Sequence, residues 1–252
     1  MKGCILKDRK YFIISGLSIL LVWIIASKYV NNEVIIPSIK NTFISLTDIV
    51  KEEYFINTVK STLLRSLASF LISLISAIIL GILSYIFKAV YYIMSPVLKF
   101  LKSVPTMAII ILALIWLTNE AAPVFVGFIM VFPILYESVL KGISNIDFKI
   151  VEMSKLYKVD TITMVREIYV PSIFFNINSV LTSTLGLSLK MVIGGEVLGQ
   201  PKYGIGSSLQ LQKMYLNTPG VFAWIIIILV IINVFDYVLS FLGKLIGNNK
   251  WK

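Results

Sequence analysis

Long apolar runs separated by short polar breaks dominate this chain. Tyr11–Ala26, Ser61–Phe87, Thr106–Leu117, Ala121–Leu140, Pro171–Val197 and Val221–Leu242 each read as a membrane-crossing helix. The third is short unless the apolar segment Tyr91–Phe100 contributes, and Pro105 fits the first turn of its helix. Pro133 falls inside the fourth run, where a kink is expected. The pattern predicts an all-α polytopic membrane protein with six transmembrane helices. Lys2, Lys7, Arg9 and Lys10 precede the first run, which is long for a signal peptide and lacks a good cleavage site, so a retained anchor span is expected.

Between the first two runs, Ile35, Ile36, Ile39, Phe43, Leu46, Ile49 and Val50 recur at helical spacing, which predicts an amphipathic helix at the membrane surface. Residues 199–219 read as a loop containing Pro201, Gly204 and Gly206. The one long polar stretch, Glu152–Pro171, is expected to form two short helices, with Asp147 and Asp160 as their N-caps and Pro171 opening the fifth span.

Composition narrows the classes. Hydrophobic residues make up 58% of the 252 residues and charged residues 14%, which excludes an ordinary soluble domain. The mean hydropathy of +0.89 agrees. The chain has no histidine and one cysteine, Cys4, so neither a metal centre nor a catalytic constellation suggests itself, and no cofactor is expected. The formal net charge of +10 reads as membrane orientation rather than nucleic-acid binding. Placing both termini in the cytoplasm puts Lys88, Lys99, Lys102, Lys141, Lys149, Lys155, Lys158 and Arg166 there too, together with the terminal basic residues. Lys28, Lys40, Lys51, Lys60, Lys202 and Lys213 fall on the other face. The Glu152–Pro171 stretch is then cytoplasmic in a multi-pass protein of the plasma membrane.

Charges inside the spans are the remaining candidates. Arg65 lies in the first turns of the second span and is expected to snorkel outward. Glu196 near the end of the fifth span suits an outer gate or docking face, or else reaches interfacial water. Lys190 pairs with a carboxylate or with an anionic solute. Glu137 and Asp236 read as halves of inter-helix ion pairs or as snorkelled end charges. Trp23, Trp116, Tyr215 and Trp224 read as interface anchors.

Glu152-Met153-Ser154, Lys158, Ile168 and Pro171 resemble the cytoplasmic loop of binding-protein-dependent ABC importer permeases. That loop runs Glu-Ala-Ala, three residues, Gly, nine residues, Ile-x-Leu-Pro. Lys158 stands where the family has glycine, and the bend is expected to move to Val159-Asp160. Further motifs are similar to the nitrate, sulfonate and taurine group of these permeases. They are Val104-Pro105-Thr106-Met107-Ala108, Phe132-Pro133-Ile134-Leu135 with Gly142, Leu189-Lys190-Met191-Val192-Ile193-Gly194-Gly195-Glu196, and Gly204-Ile205-Gly206.

The resemblance implies a type I ABC importer permease fold, with an anchor segment at 1–60 and the transmembrane domain at 61–252, its coupling loop at about 145–170. It implies that Ile150, Val151, Leu156 and Tyr157 dock on an ATP-binding subunit, rimmed by Glu152, Lys155 and Lys158, with Ser154, Asp160 and Pro171 shaping the loop. Pro105, Pro133, Lys190 and Glu196 become candidates for the solute path or its gate. The implied partners are two cytoplasmic ATPases, an extracytoplasmic solute-binding protein and a second copy of this chain, because two ATPases need two coupling loops. ATP chemistry belongs to the ATPases, so this chain is expected not to be an enzyme. The solute is a small organic or anionic one, of the sulfonate, nitrate or taurine kind, or a vitamin precursor. The rivals are a secondary transporter, which would more often show repeated halves, and the scaffold subunit of a vitamin importer.

Overall fold

The computed structural model describes residues 2–247, apart from the side chains at 2–10, 12, 13, 155, 161, 236 and 238–247. Helices make up nearly all of it: α1 (Lys2–Val30), α2 (Ile39–Lys51), α3 (Phe55–Ile86), α4 (Lys88–Ser103), α5 (Thr106–Trp116), α6 (Ala122–Ser144), α7 (Phe148–Leu156), α8 (Thr161–Met164), α9 (Val170–Gly199), α10 (Ile205–Met214) and α11 (Thr218–Gly247). Each of the six expected spans falls on a helix. Among the described residues, four stretches are long and apolar enough to cross a membrane: Phe55–Ile86, Ala122–Ser144, Ile162–Gly199 and Thr218–Phe235. The α4–α5 pair makes a fifth if counted as one broken span, bent by 104°, and Ile14–Val30 within α1 is a shorter apolar helix. Pro105 explains the bend. A residue before proline is pushed out of the helical region, and Val104 is extended, with φ −73° and ψ 130°.

Residues 199–219 are not the expected loop, because α10 occupies their middle. The second helix of the polar stretch is not separate either. From Ile162 the chain runs helically to Gly199, through a π-helical turn at Val165–Tyr169. Pro171 lacks an N–H for the carbonyl one turn back, and a wider turn is a common way to absorb such a loss.

The chain divides into two compact units. One holds the chain up to Phe55 together with Ser208–Val230. Within it the Trp23 indole N–H donates to the Pro37 carbonyl at 2.9 Å, and its ring lies 5.4 Å from that of Phe222. Trp224 is buried and lies 6.0 Å from the Phe55 ring, so it is a packing residue and not the expected interface anchor. Trp116 and Tyr215 are exposed. In α2, Ser38 caps the first turn by accepting from the Asn41 amide. Thr42 and Ile49 are buried while Phe43, Ile44 and Val50 are exposed.

The other unit holds Ile56–Ser207 and the chain from Ile231 onward. Its core is formed by Phe70 and Ala77 of α3, Val131, Leu135 and Val139 of α6, and Ile173, Ile177 and Leu185 of α9. Lipid gives helices little hydrophobic reason to associate, so they rely on close packing through small residues. A β-carbon on Gly142 would sit 2.8 Å from Ile173 Cα, and one on Gly195 2.8 Å from Pro123 Cα. These two close approaches fix α6 and α9 against each other at opposite ends. Apart from Phe70, the buried side of α3 is similarly small: Thr58, Thr62, Ser66, Ser69, Ser73, Ala77, Gly81 and Ser84. Ser188 of α9 donates to the Ser66 carbonyl at 2.8 Å, and Tyr136 of α6 to Ser84 Oγ at 2.7 Å.

Candidate functional site

Two constructions stand out: an elbow between α6 and α9, and a buried charge cluster near the Gly199 end of α9. The elbow begins with Asp147, whose carboxylate accepts the Lys149 amide at 2.9 Å and caps α7. At the far end of α7 the Val159 amide donates back to the Ser154 carbonyl at 2.9 Å, and Lys158 sits at φ +53°. This is a helix stop with one left-handed residue, the arrangement that favours glycine. The turn is therefore at Lys158, not displaced to Val159-Asp160 as expected. Lysine holds this left-handed position at a cost of about 1 kcal/mol. Asp160 then caps the next helix, accepting the Thr163 amide at 3.0 Å. Bonds from the Thr163 hydroxyl, and then from its amide, hold the Asp160 carboxyl below its ordinary pKa.

The elbow shows apolar side chains to solvent. Leu156 is 82%, Tyr157 79% and Ile162 79% exposed, and Phe148 and Met153 are exposed as well. Of the expected docking residues, Ile150 is partly exposed and Val151 half-buried. Glu152 and Lys158 are exposed beside them, and the Lys155 side chain lies outside the described residues. Ser154 is buried and donates to the Ile150 carbonyl at 2.8 Å, so it belongs to the helix interior rather than to a docking face. Pro171 is exposed at the start of α9.

The charge cluster centres on Glu196, whose side chain is 0% exposed. The expectation that it reaches interfacial water, or that Arg65 snorkels outward, does not hold. Arg65 of α3 points inward, with Nη1 2.6 Å from Glu196 Oε1 and 2.8 Å from the Tyr203 carbonyl, and Nη2 paired to Glu120. Thr62 donates to Glu196 Oε2 at 2.9 Å and accepts the Ile205 amide at 2.9 Å. The Gly206 amide donates to Glu196 Oε2 at 3.0 Å. Every polar neighbour of the carboxylate is a donor, as an ionised acid requires. A bare buried carboxylate would be prohibitive, and this set of partners offsets part of its desolvation.

The Gly-Ile-Gly sequence follows from that seat. A β-carbon on Gly204 would lie 2.8 Å from Glu196 Cδ, and one on Gly206 2.6 Å from Glu196 Cβ and from the Val197 amide nitrogen. Glu196 and the glycines are legible in the sequence, whereas Thr62, Glu120 and Tyr203 are not. One signal was available: Thr58, Thr62, Ser66, Ser69 and Ser73 recur at helical spacing in an apolar run, marking a buried face one step from Arg65.

The other candidates are dispersed. Lys190 is exposed and makes no hydrogen bond or ion pair among the described residues. Pro105 stands at the α4–α5 bend, and Pro133 is buried inside α6. Glu137 pairs with Lys102 between α6 and α4, both side chains more than two-fifths exposed, and the Asp236 side chain lies outside the described residues.

Residues 69–247 match the family described as binding-protein-dependent transport system inner membrane component, and the chain belongs to that family. It is similar to a putative aliphatic sulfonates transport permease of Bacillus subtilis, with 21% identity over 84% of this chain and 78% of the relative. It is also similar to a putative ABC transporter permease of Methanocaldococcus jannaschii, 24% identical over 82% of this chain and 79% of the relative. A probable ABC transporter permease of Brucella melitensis is 22% identical over 67% of this chain and 68% of its own length. The chain is thus a multi-pass ABC transporter permease of type I fold, a transport subunit and not an enzyme.

Proposed function

We propose that this chain forms the solute path of an ATP-driven importer and that the α7–α8 elbow couples it to cytoplasmic ATPases. The observation that carries the reading is the elbow itself. It is a short helix stopped at Lys158 and recapped at Asp160, joined without a break to the span behind it, and it exposes Leu156, Tyr157 and Ile162. Exposed large apolar residues with a charged rim are what a docking helix offers a groove. Because Ile162–Gly199 is one helical stretch, a push on the elbow is delivered to α9.

In this reading two copies surround one path, two ATPases drive them, and an extracytoplasmic binding protein delivers the solute. Both termini and the elbow are cytoplasmic, while the Glu196 cluster ties the outer ends of α3 and α9. The solute class is small and anionic, in keeping with the name of the Bacillus relative. Co-expression with the ATPase subunit tests the coupling. Leu156→Asp with Tyr157→Asp leaves the permease in the membrane and lowers recovery of the ATPase on purification by about tenfold, a loss of about 1.4 kcal/mol. Undiminished recovery contradicts the assignment.

A further inference from the structure

The face of α9 turned away from the core carries a polar line. Asn176, Ser179, Ser183, Gly186 and Lys190 follow one another at three- and four-residue steps and so share one side of the helix. Ser179, Ser183 and Lys190 are exposed, and Asn176 and Gly186 half-buried. The opposite side, with Ile173, Ile177, Leu185 and Val192, is buried in the core. A β-carbon on Gly186 would meet nothing within 4 Å, so the line is open there.

Lys190 lies about 14 Å along the axis from Gly199 and about 30 Å from Val170 at the helical rise per residue, deep in a bilayer whose apolar core is about 30 Å thick. An ammonium facing lipid at that depth is costly. No acid relieves it among the described residues: Glu120 and Glu196 are held by Arg65, and Glu137 by Lys102. A dry contact with a second copy would be worse, because a two-fold axis brings the same lysine from the other side. Ser179 and Ser183 already donate to the Asn176 and Val180 carbonyls at 2.6 and 2.9 Å, so the lysine is the group left unmet, and water with an anion passing through it satisfies that charge.

We propose that this face of α9 lines an aqueous path and that Lys190 is the cation that selects an anionic solute within it. The proposal rests on the reading that the chain forms a solute path, but it does not depend on the elbow.

Cys4 is the only cysteine, so single cysteines can be placed in a Cys4→Ala background of the full-length permease in membranes. Gly186→Cys, Ser183→Cys and, on the far side of α9, Phe174→Cys are treated with methanethiosulfonates carrying a sulfonate or a trimethylammonium group. Rates are normalised to a free thiol. Gly186→Cys and Ser183→Cys react with the anionic reagent about tenfold faster than with the cationic one, and Phe174→Cys resists both. Lys190→Gln abolishes the preference and Lys190→Arg keeps it. Two unreactive line positions overturn the aqueous path, and a preference that survives Lys190→Gln overturns the role of the lysine. The labelling needs no ATPase, so loss of elbow coupling leaves this result unchanged and each reading fails separately.

Discussion

Arg65 and Glu196 meet at 2.6 Å although 131 positions separate them, and Glu196 has no access to solvent. The same guanidinium holds Glu120 and the Tyr203 carbonyl, so one side chain joins α3, α9 and the turns before α6 and α10.

Breaking that pair from one side strands a charge. Arg65→Gln and Glu196→Gln are each expected to cost about 3–5 kcal/mol, read as thermal unfolding of the purified protein. Glu120 is 56% exposed, so Glu120→Gln costs less than about 1 kcal/mol. The Arg65→Gln and Glu196→Gln double variant loses less than the sum of the singles, because the partners are in direct contact. Additive losses would mean that the two side chains act independently.

Gly206→Ala places a methyl group against the Ile193 carbonyl and Glu196. The backbone has no room to yield there, and the folded yield is expected to fall sharply. Gly186→Ala is the control: its β-carbon meets nothing, and alanine in a helix is favoured over glycine by up to about 1 kcal/mol. Equal behaviour of the two variants contradicts the close packing of α10 on α9.

These two predictions separate what the sequence showed from what it hid. The spans were legible because long apolar runs have few alternatives, and the elbow because its caps, Asp147 and Asp160, are local. The fate of Arg65 was not legible. An arginine near a helix end can snorkel or turn inward, and the choice depends on Glu196 and Glu120, which are distant in the chain. Pairing partners are a tertiary property. The helix at 205–214 was hidden by the Pro and Gly residues before it, and Trp224 by the rule that places tryptophan at interfaces, which packing against Phe55 overrode. At Lys158 local propensity was misleading: the Ser154–Val159 hydrogen bond fixes the turn, whichever residue fills it.

Lys158→Gly is therefore expected to stabilise the elbow by about 1 kcal/mol, since glycine adopts positive φ without strain. Lys158→Val should destabilise it, a β-branched residue being poorly tolerated there. Slowed and accelerated amide exchange across α7, respectively, would register the two effects. No difference between the variants would mean the turn is relaxed in solution.

Asp160 gives the elbow a pH response. Its carboxyl is held below its ordinary pKa by Thr163, so the cap is fully present above the unfolded carboxylate range and is lost as pH falls through the lowered value. Exchange protection of the α8 amides should be flat near neutral pH and decline in acid. Asp160→Asn caps without titrating and should remove that part of the decline.

If the elbow, and not another surface, meets the ATPase, crosslinking from Leu156 will report it. In a Cys4→Ala background, Leu156→Cys is labelled with a benzophenone maleimide, whose photoactivated carbonyl inserts into any nearby C–H bond, and is irradiated in membranes that hold the ATPase subunit, alongside Tyr215→Cys at another exposed position. A crosslinked product between permease and ATPase subunit is expected from Leu156→Cys and none from Tyr215→Cys. A crosslink from Tyr215→Cys, or none from Leu156→Cys, would contradict docking at the elbow.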